Sequence, residues 1–303
     1  LAYALRPRSE DGAPATSDAG GLNRMMEMVN GSRFGVAMMG LGIARRCFLE
    51  SAIWSHHRSA KGRLLVDLPL VREQIVDLLC ELEGAIALGF ECAAASRRDD
   101  GVRLRRILVP AAKVRLCRLG VDAASFAIEL HGGNGYCEDW GLTRQLRDAQ
   151  CHPIWEGTEN ICILDVLRAI RRDAAHEAVL ARIDAALDAG KRAPEFTTEA
   201  AVAVALGRRR LVTAIAQLDR LDADRAEAAA ASITELLVET TAAALLLEQS
   251  VGDVRKGLVA LRYARRHLSS RPSWQDRIAS EAGREMLAYA EIDERVAAKA
   301  AEA

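Results

Sequence analysis

The segment 129–168, ELHGGNGYCEDWGLTRQLRDAQCHPIWEGTENICILDVLR, holds most of the residues in this chain whose types could do chemistry. Glu156 stands beside Ile154 and Trp155 and before Gly157, where a helix is expected to begin. A carboxylate in apolar surroundings is harder to ionise and becomes a proton acceptor near neutral pH. A glutamate at a helix start also complements the helix dipole, a purely structural role. Local features leave both readings open. Gly132, Gly133 and Gly135 make a Gly-Gly-x-Gly turn, which lets a ligand or another backbone approach closely. Arg147 and Asp148 form a charged pair expected between two helical pieces.

Positioning these residues falls to long helices. Apolar residues recur at helical spacing over 22–57, through Met25, Met28, Val29, Val36, Met39, Ile43, Phe48 and Ile53. Met25, Met28, Met38 and Met39 read as core rather than as a cofactor box. Further helices are expected over 67–98 and 102–130, separated by the Asp99-Asp100-Gly101 turn signal. The glycines after His131 stop the third helix. A short helix follows over 141–150, then one from the Glu156 segment to about 172. Residues 174–303 are Ala-rich and charge-laced and predict three to five more helices, with breaks near 190–194, 221–222 and 269–273. Residues 1–20, rich in Gly, Pro, Ser and Asp, read as a disordered leader. No strand pattern of useful length and no internal repeat occurs. Helices of about 30 residues with short connections make antiparallel neighbours, so the fold class is all-α. The expected layout is a four-helix up-down bundle over 21–175 with a helical C-terminal extension over 176–303.

Composition removes several function classes. Lys plus Arg number 41 and Asp plus Glu 42, so global charge favours neither nucleic acid nor an anionic membrane. The seven cysteines include no C-x-x-C pair, which argues against a disulfide framework or zinc site and for a reducing, cytoplasmic compartment. No apolar run approaches the roughly 20 residues that cross a bilayer, so no membrane is expected. The cysteines read mostly as buried small hydrophobes. Adjacent His56 and His57 point apart on a helix and read as surface, while His131 and His152 flank the motif segment as weaker ligand candidates. The chain opens on Leu1, which suggests a fragment, an alternative start codon or an incomplete gene model.

The Gly-Gly-x-Gly-aromatic turn, the Arg-Asp pair and the aromatic-Glu-Gly-Thr motif, in this order and spacing, resemble the C-terminal signature of acyl-CoA dehydrogenases. Gly31-Ser32-Arg33 resembles the small-residue-Arg step of that domain's first helix, and Arg58-x-x-x-Gly62 its Arg-x-x-Phe-Gly loop. The phrases Ile154-Trp-Glu-Gly-Thr-Glu-Asn-Ile161 and Gly135-Tyr-Cys-Glu138 look most like the alkylation-response subgroup, which also has a longer helical extension. The resemblance covers about 20–175. It implies Glu156 as the base that takes a proton from Cα of an acyl-CoA thioester while a hydride leaves Cβ for FAD. Arg33 matches an active-site arginine near the base, and Trp155 the aromatic beside the acyl chain. Gly157 and Thr158 match residues packed on the flavin. Arg58 matches the arginine reaching a neighbouring subunit's flavin phosphates, and Gly132 and Gly133 the turn touching that cofactor. The implied partners are an acyl-CoA substrate, further copies of the chain in a homo-oligomer, and an electron acceptor the sequence does not name.

The chain departs from the pattern in places. Some members carry the base just before the first-helix arginine; Ser32 stands there, leaving Glu156 as the base. Lys61 replaces the loop aromatic. Glu129 replaces a glutamine and sets a carboxylate near the expected phosphates. The family's N-terminal helical and middle β-domains have no counterpart in these residues. The alternative is a catalytically inactive helical remnant serving oligomerisation or DNA binding, through the clusters Arg208-Arg209-Arg210 and Arg262-x-x-Arg265-Arg266. Segment 175–303 nonetheless carries 18 Lys plus Arg against 20 Asp plus Glu, a poor phosphate-neutralising surface.

Overall fold

The computed structural model describes residues 21–98, 101–269, 283, 285–287 and 292–302. The expected leader and the break beyond Ser269 lie outside them. The long helices are α1 (Gly21–His57), α2 (Pro69–Ala95) and α3 (Gly101–His131). After a single helical turn, α4 (Gly133–Tyr136), come α5 (Leu142–Cys151) and α6 (Glu159–Arg171). The extension holds α7 (His176–Gly190), α8 (Thr198–Leu218), α9 (Ala223–Gln249), α10 (Val254–Leu268) and α11 (Glu294–Glu302). The all-α fold expected from the sequence is the one observed. Its only described strands are the two-residue β1 (Ser59–Ala60) and β2 (Arg63–Leu64) of one hairpin. Lys61 and Gly62 between them both have positive φ, the geometry of a tight two-residue hairpin loop.

Local chemistry explains the boundaries. Pro69 opens α2, where a missing N–H costs nothing. The Asp222 and Asp253 carboxylates cap α9 and α10, accepting from the backbone N–H of Arg225 at 2.9 Å and Lys256 at 3.2 Å. Gly132, at φ +61°, ends α3. α1 and α3 lie so close that a β-carbon on Gly120 would sit 2.8 Å from the Gly40 carbonyl oxygen.

The core runs from Ala37 to Ala297 without interruption between bundle and extension. Three of the four methionines expected in it are not there. Met25, Met28 and Met39 are 48%, 61% and 60% exposed, and only Met38 packs against the core. α1 carries apolar residues on two faces; Ala37, Leu41, Ala44 and Phe48 supply the buried one. The absence of a bilayer-length apolar run also needs correction: α9 is long and apolar enough to span one, but its apolar stretch is 72% buried inside the protein.

Acidic residues on α2 bind the extension. Glu73 and Asp77 pair with Arg262 at 2.8 and 2.7 Å, and Asp77 with Arg266 at 2.9 Å. Glu83 pairs with Arg255 at 3.0 Å and with Lys256, and Glu91 with Arg182 of α7 at 3.0 Å. His267 bridges Glu81 of α2, at 2.8 Å, and Glu239 of α9, at 2.7 Å. Burial would lower the His267 pKa, but the two carboxylates outweigh it and push it up to about 9.

Candidate functional site

Glu156 does not open a helix. It sits in a turn at φ +58°, followed by Gly157 at φ +98°, and α6 starts three residues later behind Thr158. Left-handed backbone is unfavourable for a glutamate and persists only where the surroundings impose it. Those surroundings are buried cations. Arg33 of α1, 4% exposed, donates through Nε to the Glu156 backbone oxygen at 3.1 Å. Its Nη1 pairs with Asp165 at 2.7 Å, and Arg106 holds the other Asp165 oxygen at 3.0 Å. From α3, the fully buried Lys113 donates to the carbonyls of Pro153 at 3.0 Å and Gly157 at 2.5 Å. Arg33 thus lies beneath the turn, gripping its backbone.

Above the turn the Glu156 side chain faces a furrow of about 740 Å³ between α1 and α5. One wall is Ser32, Gly35, Val36, Met39, Gly42 and Ile43; the other includes Cys151, His152 and Trp155. The exposed methionine is therefore furrow lining. Glu156 is half-buried, with apolar groups on one side only, because Ile154 and Trp155 are 67% and 61% exposed. The Trp155 indole N–H donates to the Glu156 carboxylate at 3.1 Å. Burial lowers the His152 pKa, favouring the neutral ring beside the furrow.

A second patch forms at the far end of α1. Trp54 stacks on His131 at 4.6 Å and meets Trp140 edge-on at 5.1 Å. The Arg58 guanidinium lies 6.0 Å from the Trp54 ring centroid and stays exposed. Burial lowers the His131 pKa, and its Nδ1 lies 2.7 Å from the Ala127 oxygen. His131 is thus a buried prop for the glycine turn that follows it. Gly132 and Gly133 are exposed, with open space where β-carbons would stand, and Glu129 is exposed one turn earlier. An exposed guanidinium beside an open glycine turn suits a phosphate; Glu129 is of the wrong sign for one, as are Glu50, whose charge reaches His131, and the exposed Asp139 beside Trp140. The 21 residues from Arg33 to Trp54 span about 30 Å of helix, so this patch lies well along α1 from the arginine under the turn.

The structure therefore brings together Glu156, Trp155 and Ser32, with Arg33 and Gly157 underneath. It sets Arg58, Gly132, Gly133 and Glu129 apart from them. Thr158 is exposed on the rim, ahead of α6. The Arg147-Asp148 pair lies inside α5 rather than between helices, and Arg147 pairs with Glu138 at 2.8 Å, not with its neighbour. Sequence reasoning missed Lys113, Asp165, Trp54 and Trp140. A lysine embedded in Pro110-Ala-Ala-Lys-Val114, on an otherwise apolar stretch, was the available signal for the first.

The sequence and the fold have known counterparts. The model of the acyl-CoA dehydrogenase C-terminal domain matches residues 19–171, half of the chain. The chain belongs to the acyl-CoA dehydrogenase family. It is similar to AidB of Escherichia coli K12, with 36% identity over 157 residues, 51% of this chain and 29% of AidB. Acyl-CoA dehydrogenase family member 11 of Caenorhabditis elegans is 34% identical over 155 residues, 49% of this chain and 25% of the relative. Among solved structures, Caenorhabditis elegans ACDH-11 in complex with C11-CoA superposes with a TM-score of 0.76 at 26% identity, covering 91% of this chain and 49% of that one. The likeness to that structure thus extends through most of the extension. The chain spans about a quarter to a third of the length of these curated relatives. Four of the six arginines of the remnant reading are engaged elsewhere, Arg262 and Arg266 in ion pairs on α2, Arg265 with Glu199 at 2.7 Å, and Arg208 with Asp184 at 2.5 Å, while Arg209 and Arg210 are exposed.

Proposed function

We propose that this chain is the catalytic-base half of a flavin-dependent acyl-CoA dehydrogenase, acting on the CH–CH bond next to the thioester. The observation that carries this is Glu156, held by buried cations in a strained turn beside a furrow with an apolar α1 wall, Gly35, Val36, Met39, Gly42 and Ile43, faced by Gln145, Asp148 and His152. The acyl chain of an acyl-CoA suits the Gly35, Met39 and Gly42 wall. C11-CoA in the Caenorhabditis elegans neighbour supports that substrate class. Glu156 takes the proton from Cα, Trp155 orients the carboxylate, and the furrow wall keeps water from the reacting bond. FAD, when bound, accepts the hydride from Cβ. Gly157 and Thr158 would be the residues against it beside the base, and Arg58, Gly132 and Gly133 would hold its phosphate groups. The resemblance to a family in which the matching arginine and glycine turn reach a neighbouring subunit's cofactor supports a homo-oligomer, with the exposed Arg58, Gly132 and Gly133 free to face another copy. The seven free thiols support a cytoplasmic location.

The test is acyl-CoA oxidation followed with an artificial electron acceptor, in protein that also carries the flavin-binding domains of the relatives. Glu156→Gln should cut turnover by about a hundred- to ten-thousandfold, the range of a positioned base, with acyl-CoA binding retained. Unchanged turnover removes Glu156 from the role.

A further inference from the structure

Lys113 is the most completely buried charge near the site, and nothing in its motif context assigns it a role. It has no solvent exposure, and among the described residues no carboxylate pairs with it. An ammonium taken out of water without a counter-charge is destabilising unless its hydrogen bonds are met. A leucine or methionine would fill the same space without that penalty. The partners it has are two backbone oxygens, those of Pro153 and Gly157. They bracket the turn in which Glu156 and Gly157 hold positive φ. Arg33 grips the carbonyl between them from α1, and Cys162 Sγ lies 3.7 Å from the Gly157 oxygen. Three carbonyls of one strained turn therefore point inward at two cations from two different helices.

We infer that Lys113 is a positioning residue: its ammonium fixes the Pro153–Gly157 turn and so aims the Glu156 carboxylate into the furrow. This rests on the reading of Glu156 as the base, but the clamp itself is testable without flavin or substrate. Release of Lys113 leaves Arg33 alone on the turn. The left-handed residues then relax, and the carboxylate loses its fixed relation to Trp155. Asp165 of α6, itself paired with Arg106 of α3, still holds Arg33, so the rest of the bundle stays as it was.

The experiment compares the whole chain with Lys113→Met and Lys113→Gln, the second keeping one donor. Amide hydrogen exchange should rise by about ten- to hundredfold at Ile154 and Trp155 of Lys113→Met, whose N–H groups donate to the Cys151 oxygen at 3.1 and 3.0 Å, as expected for the loss of a charge-assisted hydrogen bond. Lys113→Gln should fall between, and the buried residues of α2 should keep wild-type rates. The acid titration of the Trp155 emission, isolated by subtracting a Trp155→Phe background, should lose amplitude in Lys113→Met. In protein completed with the flavin-binding domains, Lys113→Met should lower kcat at least tenfold with KM little changed. Wild-type exchange at Ile154 and Trp155 overturns the inference, as does an unaltered Trp155 titration. Equal loosening of α2 and the turn overturns it too, and so does loss of the helical fold in both variants, because the charge then serves the core. If Glu156→Gln keeps full turnover while Lys113→Met still frees the turn, the base reading falls and the clamp stands.

Discussion

Replacing His267 with glutamine should erase a pH dependence of stability expected of the wild-type chain between pH 6.5 and 9. In the folded protein both ring nitrogens face carboxylates, Glu239 at 2.7 Å and Glu81 at 2.8 Å, and the ring packs on Tyr263 at 4.4 Å. Arg115 and Arg266 also reach Glu81, so that carboxylate stays ionised, its pKa held low against the opposing effect of burial. The folded pKa of about 9 against an ordinary 6.5 means that the native state keeps a proton the unfolded chain gives up. A raised pKa gives stability that is complete below pH 6.5 and lost as pH rises through 9. At about 1.4 kcal/mol per pH unit over the window, wild type should lose about 3 kcal/mol. The assay is urea denaturation at pH 6, 7.5 and 9.5, with midpoint and slope compared between wild type and His267→Gln. Exposed groups titrate alike in both proteins and cancel in the difference. A wild-type stability that is flat from pH 6 to 9.5, or one that falls equally in the variant, would refute the imidazolium bridge.

Three further outcomes follow from the packing. Asp165→Asn leaves Arg33 and Arg106 without their shared carboxylate, which is 2% exposed; it should cost about 3 to 5 kcal/mol in denaturant unfolding, and a loss under 1 kcal/mol would contradict it. Gly120→Ala places a methyl against the Gly40 backbone and should destabilise by about 1 to 3 kcal/mol, read as a drop in Tm. The chain should show no salt-dependent affinity for duplex DNA by fluorescence anisotropy, because the arginines of α10 are paired; binding with a steep salt slope would reverse this.

The parts of this protein legible in its sequence are those set by neighbours along the chain. Helical periodicity gave the spans of α1 to α3 within a few residues, and the glycines after His131 and the capping Asp222 marked true breaks. The Glu156 motif was visible as a block because its residues are consecutive. What stayed hidden depends on partners far away. Arg33 reads as a ligand-facing arginine until Asp165, 132 residues on, is seen to turn it under the turn. Met39 matches the core pattern of its helix, yet α1 serves both a core and a furrow, and spacing alone does not say which face each residue takes. The arginines of α10 looked available for phosphates because their acidic partners on α2 are remote in sequence.

That ladder between α2 and α10 has a consequence for how the chain is made. The paired residues lie 172 to 189 positions apart. At about 5 to 20 residues per second, α2 leaves the ribosome roughly ten to thirty-five seconds before α10 does. Through that interval Glu73, Asp77 and Glu83 stand hydrated without their α10 partners while Glu81 has only Arg115 of α3, and the helix bearing them cannot fully seat its acidic face. Translation speed across the intervening helices therefore sets how long a nascent half-bundle waits for its closing strip of arginines. Slow codons between them would lengthen its exposure to chaperones and proteases, while the finished fold would be unchanged.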